Sequence, residues 1–165
     1  MSESGGPAMR ARQRGVHRSV WAGLGVAALL LAGCAAGMTG GRPPVQLSGS
    51  QEVPPVSGTA SGSADILISQ SKCQSATSGG WCTAVTGTVT TSGVTGTAAH
   101  IHQGKAGQNG PVIIPLVKKD DNTWTVPSFT YLTDAQYIAY IDGDLYVNVH
   151  SAANPGGQVR GQLKP

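Results

Sequence analysis

From Val45 onward the apolar and polar positions of the chain alternate with a period of two. In TASGSADILIS, Ala64, Ile66 and Ile68 fall on one face of an extended segment, because successive side chains of a strand point to opposite sides. QLSGSQEV alternates before it. TAVTGTVTTSG follows, rich in the Thr and Val that suit a pleated surface, with Gly87 and Gly93 placed for a bulge or a turn. AAHIH, PVIIPLV, TWTVPSFTYL, LYVNVHS and GQVRGQL complete roughly eight short strands separated by Gly, Asn, Pro and Asp clusters. Pro115 and Pro127 have no N–H to give a ladder, which places them at edges or bends. One segment departs from the period. Thr133-Asp134-Ala135-Gln136 has the form of a capping box, Ile138 and Ile141 follow at helical spacing, and Gly143 can end the turn. The pattern predicts one short helix, Asp134 to Asp142, over an end of the sheets. Many short antiparallel strands with one small helix predict an all-β fold, a single antiparallel Greek-key-like β-sandwich or a closed barrel.

The N-terminus does not share this pattern. Arg10, Arg12, Arg14 and Arg18 precede VWAGLGVAALLLAG, an uncharged run that is shorter than the roughly 20 apolar residues a spanning helix needs. A basic region, an apolar run and then small residues is the order of a secretory signal. Leu31-Ala32-Gly33-Cys34 resembles the bacterial lipoprotein signal, in which the cysteine takes the lipid and becomes the new N-terminus. Residues 1–33 are thus expected to be a signal peptide, 34–44 a flexible Gly/Pro-rich tether from a lipidated Cys34, and 45–165 one domain. The expected location is the cell envelope, lipid-anchored and extracytoplasmic, with the membrane reached through Cys34. Ala35 rather than Asp follows the cysteine, which favours the outer membrane if the host has one.

Removing the leader changes the charge. The whole chain is +3, whereas residues 34–165 hold seven Lys/Arg and seven Asp/Glu. The basicity belongs to the signal, and nucleic acid is not an expected partner. Cys73 and Cys82 remain as an even pair in an oxidising compartment and read as a disulfide closing a short loop. Two free thiols are the alternative, since sequence does not supply a Cα separation.

Three histidines survive processing, in AAHIHQGKAGQNGPV and LYVNVHSAANPGG. Along a strand His100 and His102 project together, roughly 6.5–7 Å apart, with Ile101 on the other side. The same alternation puts His150 on the face of Tyr146 and Asn148. If the two strands are neighbours, three imidazole nitrogens meet, a donor set that suits copper, zinc or nickel and not calcium or magnesium. The competing reading is that the histidines are partly buried and satisfied by carbonyls or by each other. Glu52 and Arg160 are isolated charges in otherwise neutral strands, expected to form a structural ion pair tying the first strand to the last. Asn109-Gly110 and Asn154-Pro155-Gly156-Gly157 read as turns. No nucleophile elbow, phosphate loop or H-E-x-x-H motif is present, so no catalytic residue is assigned.

LSGSQEVPPV, AAHIHQGKAGQNGPVIIPL, LTDAQ and LYVNVHSAANPGGQVRGQL, in that order, resemble the CHRD (chordin-type) domain over about residues 45 to 163. The Cys73/Cys82 insert departs from the simpler bacterial pattern and implies an elongated, bridged hairpin. The H-x-H pair with a later histidine is also similar to the copper site of the copper/zinc superoxide dismutases, themselves Greek-key sandwiches. Those enzymes use four copper ligands, and this chain has no fourth histidine to offer in the domain. The expected function is a lipid-anchored binding module holding one copper or zinc ion on His100, His102 and His150. The alternatives are a metal-free structural domain meeting another envelope protein and, less favoured, a copper redox enzyme.

Overall fold

The computed structural model describes residues 42–73 and 80–165; the leader, Cys34 and the tether as far as Gly41 lie outside the described residues. The described residues form one compact unit. Its strands are β1 (Val45–Ser48), β2 (Ser61–Lys72), β3 (Trp81–Ser92), β4 (Gly96–Gln103), β5 (Val112–Pro115), β6 (Val117–Asp120), β7 (Thr123–Thr125), β8 (Thr130–Leu132), β9 (Leu145–Ser151) and β10 (Val159–Leu163). The helix is α1 (Asp134–Ile141), between β8 and β9.

All the pairings are antiparallel, in one sheet of order β5-β4-β9-β10-β1-β2-β3-β7-β6, with β8 also beside β3. The two ends of this order come together. Leu116, between β5 and β6, donates its N–H to the Ala99 carbonyl of β4 at 3.0 Å, and Gly96 of β4 donates to the Asp121 carbonyl at 3.0 Å. The sheet is therefore nearly closed, with its halves facing each other across one core. Ala64 and Ile66 point inward as their alternation predicts, and meet Val85, Val89, Ile101, Trp124, Val147 and Val149.

Three predicted strands are shorter than their patterns. QLSGSQEV leaves the sheet after Ser48, where a 3-10 turn (Gly49–Gln51) redirects the chain and places Glu52 in the loop beyond it. PVIIPLV divides at Leu116, since Pro115 has no N–H and the Leu116 N–H goes to Ala99 instead. TWTVPSFTYL divides around Pro127 into β7 and β8.

The helix has the predicted start: Thr133 accepts from the Gln136 N–H, and the Gln136 side chain accepts from the Thr133 N–H. At its end Asp144 donates to Ala139 and Gly143 to Tyr140, the Schellman pattern, with Gly143 at φ 78° where a side chain would be strained. The buried face is not the predicted one. Ile138 and Ile141 are exposed, whereas Ala139 and Tyr140 are buried. Tyr140 presents the larger apolar area, and its hydroxyl is satisfied by the Lys164 carbonyl at 3.0 Å, so burying it leaves no polar atom unpaired. The turn hands the chain directly into β9.

The β2–β3 hairpin is paired without interruption from Ser61–Ser92 to Lys72–Trp81. At that end Cys73, the residue after β2, is disulfide-bonded to Cys82 of β3, with Cα atoms 5.2 Å apart. No helix among the described residues is long and apolar enough to cross a membrane.

Candidate metal centre

Strand β9 is buried on both faces along most of its length. Leu145, Val147 and Val149 face the core, and Tyr146, Asn148 and His150 face the other way. That second face continues across its neighbours by register. His100 of β4 and Arg160 of β10 both lie opposite Asn148, while His102 and Gln162 lie opposite Tyr146. Directly opposed residues share a face of the sheet. The loops after β1, β4 and β9 fold over this face and seal much of it: His102 is 8% exposed, Asn148 3% and Arg160 1%.

His100, His102 and His150 therefore meet, each offering a nitrogen, with all three within 4.8 Å of one another. Their tautomers follow from their partners. His102 Nδ1 lies 2.9 Å from the Gly110 carbonyl and His150 Nδ1 lies 2.8 Å from the Pro155 carbonyl. A carbonyl can only accept, so both Nδ1 atoms carry hydrogen, and in the neutral ring both Nε2 atoms are lone pairs. His100 Nδ1 is 2.9 Å from His150 Nε2 and must donate to it, which leaves the His100 Nε2 lone pair free as well. The His102 Nε2 is buried and has no hydrogen-bond partner among the described residues. Carbonyl support on one ring nitrogen, with the other nitrogen bare, is the arrangement that orients histidine as a metal ligand.

Burial pushes the His100 imidazole below the ordinary histidine value, and the neighbouring His150 and His102 rings add to the effect. Burial likewise lowers His102; the Gly110 carbonyl opposes this, His150 lowers it, Asn148 opposes it and Arg160 lowers it. Both rings are held toward the neutral form that binds metal.

Glu52 and Arg160 do not form the predicted pair. Both are buried, and Arg160 acts on Glu52 through its charge, but among the described residues the only oppositely charged N–O contact within 4.0 Å is Lys118–Asp121. Arg160 instead lies over the Tyr146 ring, 3.4 Å from its centroid, and donates to the Lys105 carbonyl and to the Gln162 and Asn109 side chains. The Tyr146 ring is in turn stacked on His102 with centroids 4.7 Å apart and planes 6° from parallel. Burial raises the Glu52 carboxyl to about 7, outweighing Arg160 and Asn148.

The sequence brings forward the three histidines but not their supports. Gly110 and Pro155 read as turn residues, and they supply the two carbonyls; Asn109 reads as a turn residue, and it ties the loop to Val53 at 2.7 Å. Alternation does place Tyr146 and Asn148 on the face of His150, which is the signal that could have found the stack.

A nearly closed antiparallel sheet with a three-histidine cluster under its loops defines an all-β domain able to hold a metal ion. The CHRD domain description matches residues 44–163, and the chain belongs to that family. No curated protein and no solved structure matches the chain.

Proposed function

We propose that this CHRD domain is a metal-binding module of the cell envelope, holding one copper or zinc ion on His100, His102 and His150 and anchored by lipid on Cys34. The observation that carries the metal reading is the buried His102 Nε2, a lone pair without a partner inside a cluster of three imidazoles. Leaving a buried acceptor unpaired costs about 1–3 kcal/mol, and a metal ion would remove that cost. The donor set is neutral nitrogen without thiolate or carboxylate, which suits copper or zinc and leaves room for water or a partner's side chain as a further ligand. The anchor reading rests on the sequence alone. It predicts that Cys34→Ala abolishes incorporation of a labelled fatty acid and releases the protein from membranes.

The test of the metal reading is metal content. Residues 40–165, loaded with copper or zinc and desalted, are expected to retain about one ion per chain by mass spectrometry. A His100→Ala/His102→Ala/His150→Ala variant is expected to retain none. Equal retention by both would end the proposal.

One observation favours the metal-free alternative. The hydrogen bond from His100 to His150 already occupies a nitrogen of each ring, and a bound ion would have to replace it. In that reading the cluster fastens β4 to β9, and the functional surface meets another envelope protein. Absence of retained metal in the parent would support it.

A further inference from the structure

Arg160 is 1% exposed and among the described residues has no carboxylate within ion-pair distance, yet it is surrounded by hydrogen-bond acceptors and an aromatic face. Two routes run from it to one histidine. Along the first, the guanidinium lies on Tyr146, and Tyr146 lies parallel on the His102 ring. Along the second, the guanidinium holds the loop after β4 through the Lys105 carbonyl at 3.0 Å and Asn109 Oδ1 at 3.4 Å. The same loop supplies the Gly110 carbonyl to His102 Nδ1, and its Gly110 N–H donates to the Tyr146 hydroxyl at 3.2 Å. Ring plane and tautomer of His102 are thus both fixed by groups that Arg160 holds. His150, whose Nδ1 is fixed by Pro155 on a different loop, takes no part in either route.

We propose that Arg160 is a positioning residue for His102, setting the plane of its ring through Tyr146 and its tautomer through the loop that carries Gly110. Its value to the protein rests on the metal reading above. Lysine could not serve, since it lacks the planar fork that both stacks and donates in two directions.

The test uses residues 40–165, uniformly labelled with nitrogen-15, metal-free and at a pH where the imidazoles are neutral. In the parent, His102 and His150 should each show one protonated Nδ1 and one unprotonated Nε2. In Arg160→Gln and Arg160→Lys, the His102 nitrogen signals should move toward the average of two tautomers while those of His150 stay in place. Zinc affinity should fall about 10–100-fold, the usual effect of losing an outer support of a ligand. Asn109→Ala removes from an exposed side chain both the acceptor for Arg160 and the bond to the Val53 carbonyl; it should change His102 in the same direction by less, and it decides the matter if the Arg160 variants do not fold. Unchanged His102 signals and zinc affinity in these variants would overturn the proposal. So would a joint shift of His102 and His150, which would make Arg160 a support of the whole fold. If the parent binds neither zinc nor copper but its His102 tautomer still depends on Arg160, the metal reading fails and the positioning role stands.

Discussion

Glu52→Gln is expected to stabilise the domain by about 3 kcal/mol at about pH 8 and to change it little at about pH 4. The carboxyl is 5% exposed, and burial raises it from its ordinary 4.5 to about 7. Between those values the folded chain holds a proton that the unfolded chain releases. The stability this proton confers is present in full below 4.5 and is lost as the pH rises through about 7. Glutamine resembles the protonated acid at every pH, so the difference between the proteins should open across that window. The surroundings give the same account: Glu52 Oε1 and Asn148 Oδ1 are both buried acceptors without partners among the described residues, and Glu52 packs against Gly157 where a Cβ would lie 2.4 Å from its carboxylate. An ionised carboxylate adds nothing that these acceptors need, whereas a protonated one brings a donor. Urea denaturation of both proteins from about pH 4 to about pH 8.5 measures the difference. Destabilisation by glutamine across the whole range would mean that Glu52 is ionised and held by Arg160 through the gap between them.

The same residue shows what a sequence can and cannot disclose. A lone Glu early in the domain and a lone Arg near its end invite pairing, because isolated charges in neutral surroundings need some partner. Periodicity says which side of a strand a group occupies, but not what a distant loop will lay across it. His100, His102 and His150 were legible because their relation depends on alternation and on one neighbouring pair of strands. Their carbonyl supports were not, since Gly110 and Pro155 act through backbone atoms that every residue possesses. The helix illustrates both cases. Its Thr133/Gln136 capping box is a local device and reads directly. Its buried face depends on whether a hydroxyl finds a partner 24 residues away, and Tyr140 does find one at Lys164. The divided strands fall in between: Pro115 announces that a ladder stops there, while the sheet's near closure decides that the next N–H reaches back to Ala99.

The other large effect lies where the two ends of the sheet meet. A Cβ at Gly96 would lie 2.1 and 2.3 Å from two carbons of the Trp124 ring and 3.1 Å from Val149, so Gly96→Ala is expected to cost about 3 kcal/mol through overpacking. Trp124 is fully buried, and Trp124→Leu should cost a similar amount, about 3 kcal/mol, by leaving a cavity. The two losses should not add. Leucine vacates the space that the new methyl group needs, and the double variant should be about 1–2 kcal/mol more stable than the sum of the single changes implies. Urea denaturation of the four proteins gives this coupling directly. Simple additivity would place the cost of Gly96→Ala in the backbone, at the bond from Gly96 to Asp121, and not in the ring. A positive coupling would mean that the largest side chain of the core is seated by the absence of one on β4. Ala99 and Ile101 carry that strand's packing onward into the core, with His100 and His102 alternating between and beyond them, so the same contact would fix the height at which the two histidines emerge.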